Sequence, residues 1–156
     1  LTWKADSMRF VIQNVLEASV RVEDRITGSI GKGLLVLVGI GHGDDRAVAD
    51  KMLKKLLNMR IFKDENDKTN LSVMDVQGGV LLVSQFTLYA DCKRGNRPSF
   101  VNAANPQIAE ELYEYLLAEC RKNVADTGAG EFGADMKVSL VNDGPFTIVL
   151  DSEDLK

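Results

Sequence analysis

The chain has 156 residues and a formal net charge of −4, with 45% apolar and 27% charged residues. That is enough for one globular domain with a real core and too little for two comfortable ones. It excludes a bulk electrostatic grip on nucleic acid, though not a local basic patch, and no apolar run approaches the roughly 20 residues of a membrane span.

Leu1–Ser7, LTWKADS, fits no periodic pattern and precedes Met8. It reads as a leader or cloning scar ahead of a single domain over residues 8–156. Met8–Val15 alternates loosely and Ala18–Glu23 alternates cleanly, which predicts two strands with a turn at Asp24–Gly28. Gly33–Ile40, GLLVLVGI, is nearly continuous apolar, so both faces of this strand should be covered. Asp44-Asp45 offers an N-cap, and Val48, Met52, Leu53, Leu56 and Leu57 follow at helical spacing, predicting a helix to about Arg60. Residues 63–70, KDENDKTN, read as a polar loop, and Gly79–Leu88, GVLLVSQFTL, as a second buried strand. Tyr89–Gln107 has no period and predicts a long irregular loop, a feature that is usually functional in a compact domain. Asn105 and Pro106 start a second helix outlined by Ile108, Leu112, Tyr115, Leu116 and Glu119/Cys120, amphipathic and ending near Asn123. Residues 126–135 form a glycine-rich connection. Val138–Val141 and Thr147–Leu150 read as two closing strands. Asp143-Gly144 between them is the usual hairpin signal, yet Pro145 follows at once and offers no N–H to a ladder. The expected fold is a single α/β domain in the order β-β-β-α-β-α-β-β: a mixed two-layer β-sheet structure with helices packed on one side.

The chain has one histidine and two cysteines. Cys92 and Cys120 match no ligand spacing and read as reduced thiols of a cytosolic protein, and no metal site or cofactor is expected. Gly39–Asp45, GIGHGDD, follows a strand and precedes a helix, but it lacks the Lys-Ser/Thr ending of a phosphate loop. Asp44 and Asp45 also put negative charge where a phosphate would sit. A tight turn is the plainer reading, with His42 solvated on it. Without a second histidine, a Ser-His or Cys-His nucleophile pair must use His42 or not exist. Any chemistry therefore leans on backbone donors or on the substrate's own groups.

Ser84–Asp91, SQFTLYAD, starts apolar and turns polar in mid-run. It reads either as a half-exposed strand with Phe86 and Leu88 inward, or as a strand end that presents N–H groups and short polar side chains to a pocket, where they can hold an oxyanion. Lys93–Pro98, KRGNRP, is the densest basic stretch and by composition a solvated loop rather than a phosphate grip. Lys51, Lys54, Lys55, Arg60 and Lys63 add positive charge around the first helix.

VSQFTLYAD together with NDGPFTIVL resembles the two signature motifs of D-aminoacyl-tRNA deacylases. The resemblance continues through GLLVLVGI, LNMRIF, KRGNRPSF and EFGADMKVSLVNDGP, in order, from Met8 to Asp151. It implies a cytoplasmic homodimer that hydrolyses the ester between a D-amino acid, or glycine, and the 3′-terminal adenosine of tRNA. It further implies that Gly144-Pro145 is cis and projects into the partner's pocket, where its carbonyls face the substrate amine and exclude an L side chain. Ser84, Gln85, Phe86 and Thr87 are implied to line the site, with the N–H groups near Phe86 and Thr87 as the oxyanion hole. Ala103, Phe132 and Met136 match other pocket positions. Lys93, Arg94 and Arg97 are expected on tRNA phosphates. The sequence departs from the family pattern at Phe146, where a valine is usual. It departs again at Asn14, where the family carries an arginine that braces the Gly-Pro loop and that asparagine cannot imitate. The rival readings are a non-catalytic nucleic-acid-binding module on the same fold and a nucleotide hydrolase using GIGHGDD.

Overall fold

The computed structural model describes residues 6–155. Most of the leader segment, including Trp3, lies outside the described residues. Of its last two residues, Ser7 is buried and bonded to Asp151 inside the domain.

Eight strands and two helices follow in the order β1 (Arg9–Val22), β2 (Arg25–Ile30), β3 (Gly33–Gly39), α1 (Arg46–Asn58), β4 (Phe62–Lys63), β5 (Thr69–Leu71), β6 (Gly79–Ser84), α2 (Pro106–Asn123), β7 (Thr127–Ala129) and β8 (Lys137–Asp151), with a short 3₁₀ turn at Phe86–Tyr89 after β6. The helices start where local chemistry says they should. The Asp45 side chain accepts the Val48 N–H and caps α1, and Asn105 accepts the Ile108 N–H ahead of Pro106 in α2.

The main sheet runs β2-β1-β3-β6-β7, with β8 paired to β1. β1 is long enough to serve two neighbours on one edge. Arg9–Val15 pairs antiparallel with β3, and Ala18–Val22 pairs with β2. β3 pairs parallel with β6, and β6 with β7. The sheet nearly closes where β2 returns to β7. There Thr27 Oγ1 donates to Ala129 O at 3.2 Å. Gly28 permits this approach, since a Cβ on it would stand 2.5 Å from Ala129 O.

Both faces of β3 and β6 are covered, as their unbroken apolar runs predict. Leu34, Val36, Val38, Val80 and Leu82 join the helix-side core with Phe10, Ile12, Met52, Leu56 and Leu116. Leu35, Leu81 and Val83 join a second core with Val15, Ala18, Val20 and Ile30. Each such side chain contributes about 1.5–3 kcal/mol when fully buried, so the two strands anchor both layers.

Several elements differ from the sequence expectation. The first two expected strands are one, because Leu16-Glu17 holds no turn residue and is absorbed as an irregularity in the ladder. The expected turn at Asp24–Gly28 is mostly β2, and the polar loop after α1 contains the β4–β5 hairpin. The glycine-rich connection contains β7. In α2, Tyr113 occupies the core and donates to Leu82 O at 2.7 Å, while Tyr115 lies at the rim, bonded to Asp50. The two closing strands are also one, β8, which answers the puzzle of Pro145. No hairpin exists there. β8 pairs with β1 from Arg21↔Lys137 to Val15↔Asn142, and again from Gln13↔Thr147 to Arg9↔Asp151. Residues 143–146 bulge out opposite Asn14, so Pro145 needs no ladder donor.

Candidate active site

β6 pairs with β3 as far as Ser84↔Val38, and Gln85 N–H still donates to Val38 O at 2.8 Å. The chain then leaves the sheet as the 3₁₀ turn, not as more strand. Phe86 is therefore 58% exposed instead of inward, and Tyr89 is the buried aromatic. Within the turn, Leu88 N–H donates to Gln85 O and Ala90 N–H to Thr87 O. The N–H groups of Phe86 and Thr87 precede these and are bonded to no group among the described residues. They are the first-turn donors that any helical segment leaves unpaired.

Phe86 lines a cavity of about 730 Å³, whereas Thr87, the next residue, is not part of its wall. Ser84, Gln85, Phe86, Ala103, Phe132 and Met136, all named from the sequence, line it together. The wall is mainly apolar, with few polar groups, as expected of a small-molecule subsite. Phe100 meets Phe86 edge to face, their centroids 5.1 Å apart. The Glu131 N–H donates to Met136 Sδ, which steadies the turn that carries Phe132. Phe100 and Val101 also line the cavity; they lie in the aperiodic loop, and no periodicity could have singled them out.

Among the described residues, Thr87 has no activating partner. Its Oγ1 accepts a hydrogen bond from Gln85 Nε2, and no histidine or carboxylate bonds to it among the described residues. His42 reaches the cavity rim, where a ring nitrogen meets Val101 O at 2.7 Å, which ties it to the loop and away from Thr87. Gly41 N–H donates to Asp44 Oδ2 at 2.7 Å, so the Gly39–Gly43 turn spends a donor that a phosphate would need. Burial raises the Asp44 carboxyl to about 6. Cys120 is a buried free thiol and Cys92 an exposed one. Among the described residues, no three His, Cys, Asp or Glu side chains are grouped to hold a metal.

Lys93, Arg94 and Arg97 are exposed on the long loop, which the Asp91↔Ser99 bridge closes at its base. Gly144 and Pro145 are exposed at the β8 bulge and take no part in this chain's cavity wall. The Gly144–Pro145 bond is cis, and Gly144 has φ +143, a region that suits glycine. The bulge is held by Asn142, whose Oδ1 accepts the Phe146 N–H at 2.7 Å. Its Nδ2 donates to Gln13 Oε1 at 3.0 Å and to Thr147 Oγ1 at 3.1 Å. Asn14 makes no such contact. It is 7% exposed and donates to Ile61 O at 2.6 Å, leaving Oδ1 buried without a partner among the described residues.

The family model described as D-Tyr-tRNA(Tyr) deacylase matches residues 11–151. The chain belongs to the D-Tyr-tRNA(Tyr) deacylase family. Its enzyme class comes with that family: a hydrolase acting on charged tRNA. A D-aminoacyl-tRNA deacylase of Clostridioides difficile is 52% identical over 145 residues, covering 93% of this chain and 97% of the relative. One from Lactobacillus acidophilus is 56% identical over 144 residues, covering 92% and 99%. Among solved structures, a c-Myc DNA Unwinding Element Binding Protein superposes with a TM-score of 0.86 at 41% identity, covering 91% of this chain and 97% of that one. A probable eukaryotic D-amino acid tRNA deacylase shares the fold, with a TM-score of 0.80 at 16% identity over 93% of this chain and 99% of that one. No helix among the described residues is long and apolar enough to cross a membrane.

Proposed function

We propose that this deacylase hydrolyses the ester joining a D-amino acid, or glycine, to the 3′-terminal adenosine of tRNA, and that it proofreads chirality as a cytoplasmic homodimer. The observation that carries the reading is the pair of unpaired N–H groups at Phe86, which lines the apolar cavity, and at Thr87, the residue after it. Ser84, Gln85, Ala103, Phe132 and Met136 hold the adenosine and ester. The two N–H groups accept the negative charge that develops on the carbonyl oxygen as water attacks, and such preorganised donors are worth roughly 2.7–4 kcal/mol each. With no base bonded to Thr87, the attacking group is water, assisted by the ribose 2′-hydroxyl.

Chirality is read by exclusion. Both enantiomers carry the same side chain, so a site must fix the amine, carbonyl and Cα and then block the fourth direction. Gly144 and Pro145 are the blocking group, supplied to each cavity by the second copy. Their exposure in the single chain, outside its own cavity wall, supports this arrangement. Glycine passes because it has nothing to exclude. Lys93, Arg94 and Arg97 hold the acceptor-stem phosphates.

The test is deacylation of D-Tyr-tRNA and L-Tyr-tRNA by the purified protein, alongside its mass in solution. The expected result is rapid loss of the D-ester, a stable L-ester and a dimer. A second reading, a non-catalytic nucleic-acid-binding module, is favoured by the likeness to the 41%-identical c-Myc DNA Unwinding Element Binding Protein. It wins if tRNA binds and neither ester is cleaved faster than in buffer.

A further inference from the structure

We propose that Arg9, locked by the buried carboxylate of Asp151, is a positioning residue for the Phe86–Tyr89 turn. The proposal rests on the reading of that turn as the ester-binding element.

Arg9 opens β1 and Asp151 closes β8, and the two are paired across the ladder. The Asp151 side chain is fully buried, 0% exposed, and Arg9 Nε donates to its Oδ2 at 3.0 Å. The same guanidinium reaches on through Nη1 to donate to Leu88 O at 3.0 Å, and it lies 5.1 Å from the centroid of the Tyr89 ring. The Tyr89 hydroxyl donates to Ser7 O at 2.7 Å, and the Ser7 hydroxyl donates back to Asp151 Oδ1. The chain of contacts is closed: carboxylate to guanidinium, guanidinium to the end of the turn, turn to Ser7, Ser7 to carboxylate.

The far end of this circuit is the C-terminal half of a turn only four residues long. A 3₁₀ turn has three residues per repeat, so Tyr89 stands one repeat after Phe86, and Thr87 is joined directly to Leu88; fixing the Leu88–Tyr89 peptide therefore also fixes the direction of the N–H groups of Phe86 and Thr87. A buried ion pair is a poor way to gain stability, because desolvation of both charges offsets the attraction. Its use here is explained by geometry. The rigid fork of arginine serves two acceptors at once, whereas the point charge of lysine does not. Arg9 touches neither the cavity nor the ester; it acts through the turn.

Arg9→Lys separates this role from simple stabilisation, since it keeps a cation for Asp151 and gives up the second arm. The melting temperature should stay near the wild-type value. The kcat for D-Tyr-tRNA should fall by about tenfold or more at unchanged KM, the size expected when reacting groups are misplaced by a fraction of an ångström. Amide hydrogen exchange at Leu88 and Ala90, whose N–H groups are bonded within the turn, should quicken about tenfold while the β3 and β6 amides keep their protection. Wild-type kcat and wild-type exchange in the turn would overturn the proposal, as would a loss of protection spread evenly over the domain. If Arg9→Lys does not fold, Tyr89→Phe cuts the circuit at Ser7 and keeps the ring under the guanidinium. It should quicken exchange in the same two amides, and unchanged exchange there overturns the proposal equally. The exchange experiment needs no substrate. A wild-type protein inactive on both esters would refute the deacylation reading and leave the positioning role decided by exchange.

Discussion

Asn142 offers the sharpest test of how the β8 bulge is held. Its side chain accepts the Phe146 N–H at 2.7 Å and donates to Gln13 at 3.0 Å and Thr147 at 3.1 Å. Asn142→Ala removes all three. A net hydrogen bond is worth about 0.5–1.5 kcal/mol. The group is only half-buried, so the low end applies, and about 1–2 kcal/mol should be lost from the bulge's native geometry. If that geometry sets D-ester hydrolysis, kcat/KM for D-Tyr-tRNA should fall roughly 5- to 30-fold, at about 1.4 kcal/mol per factor of ten. Hydrolysis of L-Tyr-tRNA should rise relative to it. Asn142→Asp keeps the acceptor for Phe146 N–H and gives up the amide donor, so it should fall between the alanine variant and wild type. The assay is single-turnover deacylation of both esters, with thermal unfolding to show that the fold persists. An alanine variant with wild-type rates and wild-type discrimination would refute the view that Asn142 holds the bulge in its working shape.

Other outcomes can be checked in the same preparations. Thr87→Ala should retain most of its activity, whereas a substrate lacking the terminal 2′-hydroxyl should lose far more; a folded but inactive Thr87→Ala would restore Thr87 as nucleophile. Changing Lys93, Arg94 and Arg97 together to glutamine should weaken binding about equally for all tRNAs and reduce the salt slope by about one unit per lost phosphate contact, and an unchanged slope removes the contact. Asp44 is held at about 6 by burial. A carboxyl raised in the folded state contributes stability that is complete below its ordinary pKa and lost as pH rises through about 6. Asp44→Asn keeps an acceptor for the Gly41 N–H without the charge. It should flatten the melting-temperature profile between pH 4 and 7 and gain about 1–2 kcal/mol at pH 7.5, after allowance for partial exposure; an equal pH profile in both proteins contradicts the assignment.

What the sequence made legible was local. Asp45 and the Asn105-Pro106 pair announce their helices because a cap is decided within one turn of chain. The unbroken apolar runs of β3 and β6 announce burial on both faces because no polar side chain interrupts them. Strand pairing is a distant matter, and there the reading failed. Nothing between Val15 and Ala18 says that one strand continues, and nothing in Thr127-Gly128-Ala129 says that β6 will accept it as a parallel neighbour. Tyr113 and Tyr115 are equally apolar by composition, and only the position of Leu82 O decides which is inward. At the site, the residues of SQFTL were legible as an oddity and through family resemblance. The turn itself was not, because alternation of Phe86 and Leu88 imitates a strand. Phe100 and Val101 lie in a stretch whose shape depends on its contacts with the turn after β3, His42 to Val101 O and the Gly41↔Ala103 bridge.

The ladder on either side of the β8 bulge has one more consequence. Four residues, 143–146, stand against Asn14 alone, and the strands are in fixed alignment both before and after. Ile148 and Leu150 pack into the helix-side core, whereas Val138 and Leu140 pack into the other. Sliding either flank by one residue would turn its apolar side chains outward, so the alignment cannot shift to absorb an insertion or a deletion. The excursion is thus a spacer of set length, whose residue count cannot change. Related chains should differ here by substitution only, and a designed variant one residue longer or shorter should misplace the tip before it unfolds the domain.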